Sequence, residues 1–136
     1  MTVRPYLRRA VEARADDRCE YCGLAQIGQK AVFHVDHVVP RSAAGETHIG
    51  NLALACVSCS LRKGARQTAP DPATQTEATL FNPRRESWND HFRWDGLQVV
   101  GLTATGRATV GALGLNRQLA LAILQEEASR RRHPPP

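Results

Sequence analysis

The chain has 136 residues, of which 42% are hydrophobic and 23% charged. That is the balance of an ordinary globular domain and excludes wholesale disorder. No run approaches the roughly 18 to 20 apolar residues of a membrane span, and arginines follow Met1-Thr2-Val3-Arg4-Pro5 instead of an apolar core. A soluble, cytoplasmic protein with no membrane partner is therefore expected.

Net charge is +5, and all but Lys30 and Lys63 among the 18 basic residues are arginine. Arginine grips phosphate with a planar fork, so the balance leans towards a polyanionic partner. The positive charge flanks an acidic stretch across 71–100. Aromatic residues make up only 5%, thin for a core of this size, and such chains often recruit a metal or disulfides.

In chain order, Pro5 to about Arg18 reads as a helix, with proline in the first turn and Leu7, Ala10, Val11 and Arg14 at helical spacing. Residues 31–39 are rich in β-branched and aromatic side chains and end at Pro40, the pattern of a strand. A loop over 40–51 follows, then a short strand Leu52–Ala55. A helix is expected over 58–66, with Ser58 as its N-cap. The polar stretch Gln67–Thr79, with Ala-Pro-Asp-Pro at 69–72, reads as a loop. His91–Leu102 reads as a hairpin turning at Asp95-Gly96. Thr103 caps a helix to about Leu113 that ends at Gly114. Asn116 is expected to cap a last helix to about Arg132, supported by Glu126 and Glu127 four residues before Arg130 and Arg131.

The four cysteines come as two matched pairs, Cys19-x-x-Cys22 and Cys56-x-x-Cys59. A reducing compartment disfavours disulfides. Two-residue spacing lets both thiolates of a pair reach one ion, and two such knuckles complete a tetrahedral zinc site. Gly23 suits the turn after the first pair, because glycine accepts positive φ. Four unrelated thiols or a redox dithiol fit poorly with a spacing that occurs twice. A closed four-thiolate site has no open position, so this Zn²⁺ is expected to be structural.

Between the pairs lies Phe33-His34-Val-Asp36-His37-Val-Val-Pro40-Arg41. Asp36 offers oxygen to a hard cation such as Mg²⁺, while His37 can deprotonate water near neutral pH. Strand alternation puts these two on opposite faces, so a distortion near Pro40 is expected to bring them together. His34 shares the face of Asp36 and could bind metal or phosphate.

The set Asp36-His37-x-x-Pro40, Asn51-Leu52 and Cys56-x-x-Cys59-x-x-x-Lys63-Gly64 resembles the HNH, or ββα-metal, endonucleases, in the version where CxxC pairs bracket the motif. Leu80-Phe-Asn-Pro-Arg84, Trp88, His91-Phe92-x-Trp94 and Gly101-Leu102-Thr103 are also similar to the C-terminal part of small stand-alone bacterial HNH proteins. The resemblance implies Asp36 as a metal ligand, His37 as the base that activates water, and Asn51 as the brace of the loop and of His37. Lys63 and Arg41 would contact phosphate. The family's third position, usually Asn or His and a second metal ligand, falls on Ser60, a weaker neutral donor.

The expectation is therefore a single α+β domain over 1–136. Its ββα-metal core, zinc-stapled, occupies 1–66 behind an N-terminal helix, and a loop, hairpin and helices fill 67–136. Its expected activity is metal-dependent hydrolysis of DNA, with Zn²⁺ structural and Mg²⁺ or another divalent cation catalytic. The alternative is a zinc-stapled DNA-binding module that has lost cleavage through Ser60.

Overall fold

The computed structural model describes residues 3–136, which fall into two compact units. The first runs to Ala65 and takes in Asn82–Arg85, and the second comprises Arg66–Phe81 with Glu86–Pro136. The architecture is mixed, with short helices and small two-stranded antiparallel sheets. No described helix is long and apolar enough to cross a membrane.

In the first unit, helix α1 spans Pro5–Arg14. It stops short of the expected Arg18 because Asp16 and Asp17 adopt left-handed backbone, φ 54° and 52°, which aspartate tolerates better than most residues. Strand β1, His34–His37, pairs antiparallel with β2, Leu52–Ala55, in the register His34↔Ala55, Asp36↔Ala53 and His37↔Leu52. The strand is shorter than 31–39 because flanking amides find other partners. The Phe33 amide donates to Gln26 Oε1 at 2.7 Å, and those of Val38 and Val39 donate to Asn51 O and Oδ1 at 2.8 and 2.9 Å.

All four residues of β2 are buried, and α1 packs over this strand. Its arginines clamp the ladder from that side: Arg8 Nη2 donates to Phe33 O at 2.9 Å, and Arg14 donates to Ile49 O at 2.8 Å and Leu52 O at 2.5 Å. Helix α2, Val57–Lys63, follows β2 directly. Its N-cap is Cys56 in place of Ser58, because Cys56 Sγ accepts the Cys59 amide at 3.4 Å.

In the second unit, 67–79 is not a loop. Strands β3, Thr68–Pro70, and β4, Glu77–Thr79, pair antiparallel. Asp71 makes the turn: Oδ1 accepts the Ala73 amide at 3.0 Å, Oδ2 the Thr74 hydroxyl at 3.1 Å, and its amide donates to Thr76 O. The two prolines that argue against a strand sit at the end of β3 and inside the turn. A short helix α3, Trp88–His91, leads into strands β5, Phe92–Asp95, and β6, Gln98–Gly101. Asp95 pairs with Gln98, so the two-residue turn is Gly96-Leu97, one place later than expected. Gly96 has φ 63°, as the first position of a type II′ turn requires.

Helix α4, Ala104–Leu113, starts at Thr103, whose hydroxyl accepts the Gly106 amide at 3.0 Å, and ends at left-handed Gly114, as expected. It packs against both hairpins of this unit, with Ala108 meeting Ala69 and Leu80. Helix α5 spans Gln118–Ser129 and has Arg117, not Asn116, at its N-cap. Asn116 instead bridges the amide and carbonyl of Val99 at 2.7 and 2.8 Å. Glu126 pairs with Arg130 as spaced, but Glu127 pairs with Arg132.

Candidate active site

The two cysteine knuckles converge. The Sγ atoms of Cys19, Cys22, Cys56 and Cys59 all lie within 4.8 Å of one another, and no disulfide joins them. A zinc tetrahedron with Zn–S near 2.3 Å has edges of about 3.8 Å, and Cys22 Sγ stands 3.8 Å from Cys56 Sγ. In each knuckle the second amide donates to the first sulfur, Cys22 N to Cys19 at 3.5 Å and Cys59 N to Cys56 at 3.4 Å. Gly23 takes φ 79° behind the first knuckle. Hydrogen bonds within the cluster, that to Cys19 foremost, hold the Cys56 thiol below its ordinary pKa but push those of Cys22 and Cys59 above theirs, so the four can all ionise only around a shared cation. The donor set fits Zn²⁺, and the four cysteines are positioned to form its site.

The second feature is built on β1. Asp36 is half-buried, and no hydrogen-bond or ion-pair partner for its carboxylate occurs among the described residues. On the same strand face, His34 Nδ1 lies 2.7 Å from Ser60 Oγ, which comes from α2. The opposite face carries His37, whose Nε2 lies 2.7 Å from Thr47 Oγ1 in the loop between the strands. Arg41, exposed at the start of that loop, donates to the same Thr47 hydroxyl at 3.2 Å. The expected distortion is absent from β1 itself, which stays paired through His37.

The electrostatics match the residue types. Partial burial, reinforced by the Arg41 guanidinium and opposed by Asp36, holds the His37 imidazole below its ordinary pKa. A neutral ring keeps a lone pair available for a proton. Burial also lowers the Lys63 ammonium, and Asp36 opposes it.

Asn51 is buried and organises the loop. Its Oδ1 accepts the Val39 amide at 2.9 Å, while Nδ2 donates to Val39 O at 3.0 Å and Glu46 O at 2.8 Å. None of its side-chain hydrogen bonds goes to His37, so its hold on that ring runs through the loop. Gly45 belongs to the same device. A Cβ there would stand 1.7 Å from Val39 O, so only glycine lets the loop fold back this closely.

Lys63 departs from its expected place. It is buried, with only 4% exposed, and Nζ donates to Val38 O at 3.2 Å. A buried ammonium tying α2 to the end of β1 is a brace and not a surface phosphate contact. Two residues with no motif signal prove important: Thr47, which touches His37, and Arg14, which clamps both ends of the segment entering β2. The last-turn position of Arg14 in α1 is its only sequence cue. Outside this unit, His91 is held between Thr103 Oγ1 at 2.6 Å and Glu86 at 3.0 Å.

Residues 19–66 match the family model described as HNH endonuclease. The match spans both cysteine pairs, β1, the loop, β2 and α2, and it supports a nuclease role for this unit. No curated protein and no solved structure matches the chain.

Proposed function

We propose, from the HNH endonuclease match over 19–66, that this protein is a metal-dependent endonuclease that hydrolyses DNA phosphodiester bonds. The observation that carries the reading is the pairing, on adjacent β1 residues, of an unpartnered Asp36 carboxylate with a His37 ring held at one nitrogen and kept below its ordinary pKa.

The donor chemistry fits a divalent cation: a half-buried carboxylate with no other partner among the described residues is a hard oxygen ligand. Held at Asp36, such a cation supplies positive charge to the scissile phosphate and to the leaving 3′-oxygen. The chain's own residues do the rest. In the tautomer this reading requires, Nε2–H of His37 donates to Thr47 Oγ1, which leaves the lone pair on Nδ1. His37 is the last residue of β1, so a phosphate lying across the strand's end can meet both the cation on the Asp36 face and this ring: Nδ1 takes a proton from water as its oxygen attacks phosphorus in line. The P–O3′ bond breaks, the 3′-oxygen is protonated from solvent, and the products carry 5′-phosphate and 3′-hydroxyl.

Arg41 is exposed beside Thr47, where it can meet a phosphate of the bound strand. Asn51 and Gly45 keep the loop, and with it Thr47, in register with His37.

A second reading, a zinc-stapled DNA-binding module without cleavage, draws on one observation: the helix position that should supply a metal ligand is Ser60, already bonded to His34. Supercoiled plasmid incubated with the protein, with and without Mg²⁺ or Mn²⁺, separates the two. Nicking that requires metal and disappears in His37→Ala supports the nuclease. An intact plasmid under every metal, with DNA still bound, supports the module.

A further inference from the structure

We infer that the second protein ligand of the catalytic cation is His34, through Nε2, and that Ser60 is a positioning residue for that histidine, not a ligand. The inference rests on the nuclease reading above and gives its site a specific donor set. His34 and Asp36 are two residues apart on a regularly paired strand. They therefore share a face, their backbones separated by about 6.6 Å along the strand. Both are half-buried, and the Asp36 carboxylate has no other partner among the described residues.

At His34, Nδ1 is engaged by Ser60 Oγ at 2.7 Å, while Nε2 has no partner among the described residues. A ring that donates Nδ1–H to a hydroxyl carries its lone pair on Nε2, the arrangement in which metal-bound histidines are held by a second group. Ser60, neutral and already joined to His34, is the poorer donor. The helix thus reaches the cation through His34 instead of touching it.

The donor set has a consequence for metal choice. Carboxylate oxygen alone suits Mg²⁺, whereas an added imidazole nitrogen favours Mn²⁺, Co²⁺ or Ni²⁺. Mg²⁺ should therefore compete with Mn²⁺ for this site at least about tenfold less well than it does at an all-oxygen site.

The test is Mn²⁺ binding to the zinc-loaded full chain, followed by electron paramagnetic resonance. The free-ion signal gives affinity, and pulsed measurement detects a coordinated ¹⁴N nucleus. Wild type should bind Mn²⁺ with ¹⁴N modulation, and His37→Ala should keep it. His34→Ala should lose the modulation and bind at least about tenfold more weakly. Ser60→Ala should retain the modulation with affinity reduced about 10- to 100-fold, the usual cost of removing a partner behind a ligand. Zinc content and melting establish that each variant is folded, and His34→Gln serves if the alanine variant is not.

Persistent ¹⁴N modulation or unchanged affinity without His34 would overturn the assignment. So would loss of binding in Ser60→Ala but not in His34→Ala, or no binding by wild type. Binding with nitrogen coordination and no plasmid cleavage would sustain this site and sink the nuclease reading alone.

Discussion

The amide of Asn51 is the most informative single target, because it ties one loop to the strand that carries both candidate catalytic residues. Asn51→Ala removes three hydrogen bonds: from the Val39 amide, and to the carbonyls of Val39 and Glu46. At about 1 kcal/mol net for each, the loss approaches 3 kcal/mol. Glu46 is exposed, so its carbonyl regains water and the expected cost is about 2–3 kcal/mol. In a urea titration with zinc retained, this moves the midpoint by roughly 1–2 M.

Asn51→Asp should do no better. It keeps the acceptor for Val39 N–H but turns a carboxylate towards two carbonyl oxygens that lose their donors. Because Thr47 belongs to the same loop and touches His37, plasmid cleavage should fall further than the folded fraction explains. A loss below about 0.5 kcal/mol, in the range of an ordinary surface change, in a variant with full zinc content would refute the bracing role assigned to Asn51.

Zinc extraction by a strong chelator, or Cys22→Ser, should unfold the first unit, since a four-thiolate site contributes on the order of 10 kcal/mol of folding free energy. Circular dichroism followed together with released zinc checks this, and retained structure in a zinc-free sample would count against it. The acid limb of the cleavage profile should lie below the ordinary histidine pKa, because burial and Arg41 both lower that of His37. Arg41→Ala removes one of these causes, so the limb should move to higher pH, and a limb that stays in place would disprove the coupling.

In the second unit, Arg107 grips Asp71 through Nε and Nη2 at 2.9 and 2.8 Å and holds its carboxyl well below the usual range. A depressed carboxylate stabilises the fold above its unfolded pKa near 4, and that contribution is lost as pH falls towards the folded value. Arg107→Met should therefore flatten the stability profile below about pH 4. A profile as steep as that of wild type in denaturant titrations across this range would contradict the pair's role.

The cysteine knuckles, the β1–β2 hairpin core with its following helix, and the capped start and end of α4 are all legible in the residues. Each rests on covalent spacing or on a local backbone preference. Two cysteines separated by two residues bring their own geometry with them, and a threonine before a helix finds the free amides wherever that helix goes.

What only the tertiary structure decided depends on partners far away in sequence. Asn116 does not cap α5 because the backbone of Val99, 17 residues earlier, offers both its groups. Residues 67–79 pair as a hairpin because Asp71, stabilised by Arg107 from 36 residues on, organises a turn that its flanking prolines conceal.

The same holds for the candidate site. Lys63 is drawn inward to Val38 O, Ser60 is matched to His34 across 26 residues, and Thr47 meets His37 only once the loop closes around Asn51 and Gly45. Residue type and spacing announce which chemistry is present. Which nitrogen is tethered, which cation is buried and which carboxylate remains unpartnered follow from how buried polar groups satisfy one another, and that is settled only when the chain is packed.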